Sequence, residues 1–290
     1  MSVDLKSAVL ELIRRSSTSL HPSWERAIAD AAGKEDKDSS AGTVFSTILE
    51  NIKLARDKSA PICQDTGSLT FYVDYPAGGR ESNYTNAIID AVIDATGKQY
   101  LRPNAVDSIT GKNTEDNTGV NAPVFYYHQW DKNEVRIRFM QKGGGSENCG
   151  AQYRIPDSRI GAGRDLKGVR KVVIDAAQQA QGQGCAPGIF GVAIGGDRAS
   201  CAKFAKEQLF RKYGERSSDP ELAKLEKQLL DDINSLGIGP MGFGGKTSAL
   251  EVFIASQHRH PATYYVSIAY LCWANRNGTL TINGDKVTYD

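Results

Sequence analysis

Three of the five cysteines sit in loops whose neighbours suit a metal–sulfur centre. Cys63 lies in PICQDTG, Cys185 in GQGCAPG and Cys272 in LCWANR. Each loop carries small or polar residues able to hydrogen-bond a sulfur, which a thiolate-ligated cluster requires. The three are 122 and 87 residues apart, so only the fold can gather them. No CxxC pair occurs, which argues against a zinc ribbon or a thioredoxin-like centre. Five scattered cysteines are also too few for a disulfide scaffold. Taken singly, any of these thiols reads as a small core residue in a reducing compartment. Cys201 keeps that reading because it falls inside a helical pattern. Cys149, beside GGGSEN, stays outside the candidate set but is the one realistic fourth ligand.

Glycine makes up 29 of the 290 residues, about 10% against a usual ~7%. The excess is concentrated at 143–145, 184–196 and 237–245, in loops whose N–H groups can approach an anion or an inorganic cluster. A nucleotide reading fails on spacing. GFGGKTS ends like a phosphate-binding loop but lacks the earlier glycine, and GVAIGGDRAS does not keep GxGxxG. Were a nucleotide bound, its phosphate site would be Gly242–Thr247.

The elements that must position these loops are of both kinds. Leu5, Val9, Leu12 and Ile13 predict a helix with Ser2 as candidate cap, and Val44, Ile48, Ile52 and Ala55 predict another. Ile88, Val92 and Ala95 predict a third. SAPICQDTGSLTFYVDY reads as a loop running into a β-rich stretch. PVFYYHQW and EVRIRFM read as neighbouring strands joined by DKN, and KGGGSENCG as a loop. KGVRKVVIDAAQQAQ has helical spacing, GIFGVAIGG reads as a buried strand, and DRASCAKFAKEQLFRKYG as a helix. DPELAKLEKQLLDDINSLG has a cap at Asp219, Pro220 in its first turn, a stop at Gly237, and a face of Leu222, Leu225, Leu229, Ile233 and Leu236. SALEVFIAS is strand-like, and TLTINGDKVTY predicts a hairpin around Asn283-Gly284. The expected fold class is α+β, with mixed helices and sheets, not a doubly wound parallel sheet.

Composition narrows the function classes. Thirty-five basic and 34 acidic residues leave a formal charge of +1, so no net field favours nucleic acid or an anionic membrane. No apolar run approaches the ~18 residues of a membrane span, and the charged start MSVDLKSAVLELIRR is unlike a signal peptide. A soluble, cytoplasmic protein is expected, with neither nucleic acid nor membrane as partner.

ICQDTG (62–67), LRPNAV (101–106), KGGGSEN (142–148), GCAPGIFGVAIGG (184–196), GFGGKTSALEV (242–252) and HPATYYVSIAYLCWANR (260–276) together resemble the class I fumarate hydratase family. This is the iron–sulfur group that includes the L-tartrate dehydratase α subunit. The resemblance runs from about residue 40 to 278. It implies a [4Fe–4S] cluster held by Cys63, Cys185 and Cys272, with one iron left open as a Lewis acid for substrate. It also implies that Gln64, Arg102 and Gly145 bind the carboxylates of a small diacid, Arg102 through its planar fork. Asp65 and His260 are the implied proton-handling pair. Taken alone, His260 reads as a loop histidine bonded to backbone, and Lys142, Lys246 and Thr247 as solvated or structural. The fold implied is the iron–sulfur hydro-lyase α type.

Longer relatives of that family carry a further C-terminal domain. Residues 1–290 are therefore expected to form the α (N-terminal) domain alone, inactive or nearly so without a β subunit or C-terminal partner, in a homo- or hetero-oligomer. The implied reaction is hydration of fumarate to L-malate, a tricarboxylic acid cycle step. The alternatives are a tartrate or mesaconate-type dehydratase, or a non-catalytic iron–sulfur carrier.

Overall fold

The computed structural model describes residues 3–290. Its first helix, α1 (Leu5–Thr18), buries Leu5, Val9, Leu12 and Ile13, the stripe of an amphipathic helix. Asp4 caps it by accepting the Ser7 N–H, while Ser2, the expected cap, lies outside the described residues. α2 (Pro22–Ala32) follows, a helix the sequence reading passed over although Trp24, Ala27, Ile28 and Ala31 are buried at helical spacing. Then come α3 (Ser40–Lys58), β1 (Ser68–Pro76), α4 (Glu81–Gly97), β2 (Val124–Trp130) and β3 (Val135–Lys142). Next are α5 (Gly144–Asn148), β4 (Ala151–Arg154), α6 (Leu166–Ala180), β5 (Gly188–Ile194), α7 (Arg198–Gln208) and α8 (Pro220–Ser235). A 3-10 turn at Pro240–Gly242 precedes β6 (Ala249–Ser256), β7 (Tyr265–Leu271), β8 (Asn277–Asn283) and β9 (Lys286–Tyr289).

Two compact units result. The first comprises Met1–His21, Glu50–Gly144 and Arg276–Asp290. Its sheet has the order β2-β1-β3-β8-β9, with β1 parallel to β2 and every other pairing antiparallel. Phe71 and Val73 of β1, Ile137 and Phe139 of β3, and Leu280 of β8 meet Leu12, Ile13, Ile88 and Val92 in one core. The expected neighbours β2 and β3 are not paired. β1 lies between them, with Asp74 opposite His128 on one side and Arg136 on the other. Burial explains the order: β1 is buried along nearly all its length and takes the centre, whereas half-exposed β2 suits an edge. The β8–β9 hairpin forms as expected, Asn283 pairing with Lys286 and Gly284 holding φ +59° in the turn.

The second unit comprises Pro22–Leu49 and Gly145–Asn275. Its sheet runs β4-β7-β5-β6, with β5 wholly buried, parallel to β6 and antiparallel to β7. α6 and α8 cover one face, joining Val169, Val173, Leu225 and Leu229 to Phe190, Val192 and Ile254. Gly191 points to the other face of β5, where a Cβ would sit 2.3 Å from the Ala205 carbonyl of α7, so only glycine permits that approach. Asp219 and Pro220 start α8 as predicted, but Leu236 lies past its last turn and is 37% exposed. KGGGSENCG is not all loop, since α5 forms one helical turn there. A single turn needs few hydrogen bonds, and glycine is least costly at helix ends. Both sheets mix parallel and antiparallel pairs, giving an α+β fold rather than a doubly wound one.

Candidate active site

In the second unit strand register brings two of the three cysteine loops to one end of a sheet. Cys272 directly follows β7, and Cys185 lies just before β5. Antiparallel pairing of Ile189 with Leu271 delivers both to one end of the sheet. The Trp273 N–H then donates to the Cys185 carbonyl at 3.3 Å. Cys185 is exposed and holds φ +57°, a left-handed conformation that a side chain with a Cβ rarely adopts outside functional or strained sites. Cys272 is buried, its thiol donating to the Ala274 carbonyl at 3.5 Å.

Tyr270 stands beside both loops. Its ring is 1% exposed, packs edge-on against Phe190, and leaves no room for a Cβ at Gly184 or Gly188. Burial pushes its phenol well above the usual tyrosine range, with Cys272, Cys149 and Cys185 adding to the shift. The hydroxyl has no hydrogen-bond partner. Cys149 is half-buried against the same core, and Cys201 is buried in α7 with its thiol donating to the Ala193 carbonyl, the structural role its helical pattern indicated.

In the first unit the Cys63 loop is pinned through Asp65. Asp65 Oδ1 accepts from the Gly67 N–H and the Asn104 side chain, both at 2.8 Å, and Oδ2 accepts from the Gly144 N–H at 2.7 Å. Thr66 Oγ1 accepts the Arg102 N–H at 2.6 Å, and the Asn117 side chain donates to the Arg102 carbonyl at 3.0 Å. The Arg102 backbone is thereby held at both ends while the residue itself is exposed. Gln64 is exposed beside Asp65, and Cys63 is half-buried. A cavity of about 280 Å³ opens here, lined by Asp65, Ser68, Asn104, Asn117, Asn121 and Gly144 among others. Asp65→Ala is expected to cost about 1–3 kcal/mol, because three N–H donors lose a charged acceptor. Amide exchange at Gly67 and Gly144 reads this directly, and unchanged protection there would contradict it.

Arg276 was missed by sequence reasoning. It is 2% exposed, and its Nη1 donates to the Asp65 carbonyl and, at 3.3 Å, to Gln141 Oε1. Its Nε has no partner. A buried guanidinium held by neutral oxygens biases the Asp65 loop toward anions. The only clue in the sequence was its place in LCWANR, since burial of a cation has no sequence signature.

The remaining candidates are placed as follows. His260 lies on the exposed loop before β7, and its Nδ1 accepts the Ala262 N–H at 3.1 Å. That bond puts the proton of the neutral ring on Nε2. Gly145 lies in α5, where a Cβ would come within 2.9 Å of the Gln183 carbonyl. Lys142 is buried, not solvated. The Gly242–Thr247 loop turns its donors inward: Gly242, Phe243 and Gly244 donate to carbonyls, and the Lys246 and Thr247 N–H groups to Glu35 at 2.7 and 3.0 Å. A carboxylate fills the place where a phosphate cradle would need free N–H groups.

Among the described residues, no three His, Cys, Asp or Glu side chains form a group that could hold a metal ion, and no helix is long and apolar enough to cross a membrane. A protein of Geobacillus stearothermophilus named "Putative fumarate hydratase class I" is 44% identical over 275 residues, 94% of this chain and 54% of the relative. The chain thus spans about half of that relative's length. One of Methanocaldococcus jannaschii, "Putative L(+)-tartrate dehydratase subunit alpha", is 36% identical over 97% of this chain and 98% of its own. The Escherichia coli K12 "L(+)-tartrate dehydratase subunit alpha" is 33% identical over 87% of this chain and 82% of its own. Residues 6–281 match the family described as Fumarate hydratase (Fumerase), and on that extent the chain belongs to it.

Proposed function

We propose that this chain is the α part of an iron–sulfur hydro-lyase that hydrates fumarate to L-malate. The observation that carries the reading is the β5–β7 register, which places Cys185 and Cys272 at one sheet end. The donor chemistry fits a cluster: two cysteine loops lie at one sheet end beside the Tyr270 ring, and one of the cysteines is exposed on a left-handed backbone. A [4Fe–4S] group spreads its ligands more widely than a single ion does, so it does not require the compact donor group of an ion site. Cys63, Cys185 and Cys272 are the proposed ligands. When bound, the cluster supplies an open iron that polarises a hydroxyl and lowers its pKa.

The chain's own residues do the rest. Arg102, with its backbone fixed, presents a guanidinium to one substrate carboxylate, and Gln64 offers an amide beside it. The Gly145 N–H binds the other carboxylate. Asp65 accepts hydrogen bonds from three donors, a pattern that suits orienting the Cys63 loop. His260 exchanges the reacting proton through Nε2. A partner subunit or domain completes the site.

Tartrate dehydration is the second reading, favoured by a specific observation. Relatives named for the tartrate enzyme's α subunit, from Methanocaldococcus and Escherichia coli, match 97% and 87% of this chain.

Anaerobic reconstitution tests the proposal. The chain should retain about four irons and four sulfides, and turn over fumarate or tartrate only when co-expressed with its partner. Failure to retain iron and sulfide, or full turnover by the chain alone, would overturn it.

A further inference from the structure

Resting on the iron–sulfur reading above, we propose that Tyr270 is a positioning residue for the cluster: its ring shapes the Cys185 loop, and its hydroxyl donates a hydrogen bond to a sulfur of the bound group. Two independent observations carry this.

The first is packing. Gly184 and Gly188 flank Cys185, and both abut the same ring. A Cβ at Gly184 would lie 2.3 Å from Tyr270 Cε1, and one at Gly188 would lie 2.4 Å from Cζ. Phe190 pairs with Tyr270 across the strands and packs edge-on against it, so the sheet fixes the ring against which the loop lies. The 184–188 segment therefore takes its path, including the left-handed backbone at Cys185, against a rigid aromatic template.

The second is the hydroxyl. It is buried and has no hydrogen-bond partner among the described residues, a costly and uncommon state in folded proteins. Phenylalanine would keep the packing and avoid that cost, so the oxygen has a use that packing does not explain. The ring abuts Gly184 and Gly188, which flank Cys185, and Cys272 lies two residues further along the same strand end. A neutral thiol is a weak acceptor. Thiolate or sulfide sulfur in a cluster carries negative charge and accepts a stronger, charge-assisted bond. Hydrogen bonds to cluster sulfur set the reduction potential.

The test is Tyr270→Phe in the full chain, reconstituted anaerobically. Iron and sulfide content should match the wild type, because the ring template is kept. The reduction potential should fall, and the Fe–S stretching modes that shift in D2O should lose that sensitivity. Gly188→Ala places a methyl group 2.5 Å from the hydroxyl oxygen and should lower cluster content. The D2O comparison on the wild type alone keeps the proposal testable if the variants misfold, since absence of any deuterium-sensitive Fe–S mode would overturn it. A wild-type chain that retains no iron or sulfide sinks this inference together with the reading beneath it. A loaded wild type whose potential and spectrum equal those of Tyr270→Phe sinks this inference alone.

Discussion

On the proposed iron–sulfur reading, Cys185→Ser and Cys272→Ser should each abolish retention of iron and sulfide and lower diacid turnover of the partnered enzyme at least about 10³-fold, roughly 4 kcal/mol of barrier. Serine is close to isosteric with cysteine but is a far poorer ligand for a cluster. Cys185 is exposed, so its replacement leaves the fold's stability nearly unchanged. Cys272 is buried, and its replacement adds a structural cost. Cys201→Ser supplies the contrast. Its thiol is buried in α7 and bonded to the Ala193 carbonyl, so the variant should lose stability while retaining as much iron and sulfide as the wild type. Metal and sulfide analysis beside thermal unfolding separates these outcomes. Normal cluster content in Cys185→Ser would remove that residue from the ligand set.

The second large effect is structural. Glu226 of α8 has a side chain 0% exposed, paired with Arg211 at 2.7 Å. Its Oε1 also accepts the Ile254 N–H of β6 at 2.7 Å, and its Oε2 the Ser217 N–H at 2.9 Å. One carboxylate thus ties helix, strand and the 211–217 loop together. Glu226→Ala leaves the largely buried Arg211 guanidinium with only Glu215 at 4.0 Å as a charged partner and two backbone donors unmet, so about 3–5 kcal/mol of stability should be lost. Glu226→Gln keeps one carbonyl acceptor and should lose less. Urea unfolding measures both, and an alanine variant within ~1 kcal/mol of wild type would show that water or rearrangement satisfies these groups.

The contrast between these two residues shows where legibility ended. Cys185 and Cys272 stood out as candidate ligands because cluster chemistry demands one residue type in a loop of small or polar neighbours. Glu226 was one more polar residue in a strongly amphipathic helix, and nothing local marks it as the residue that faces inward with its charge. Asp65 lay between these cases. Its place after Cys63 marked it for chemistry, but its hold on Gly67, Asn104 and Gly144 depends on segments up to 79 residues away.

By itself the sequence determined the local elements, because apolar period and caps act within a few residues: the faces of α1, α6 and α8, the Asp219 start and the Asn283-Gly284 hairpin all follow from nearby side chains. Tertiary structure decided strand order and the surroundings of the site. β1 entered between β2 and β3 because central burial rewards its apolar faces, and the β5–β7 register joined cysteines 87 residues apart. The surroundings of Arg276 and Tyr270 arise only through burial, which is a property of the packed whole and is written in no single stretch of chain.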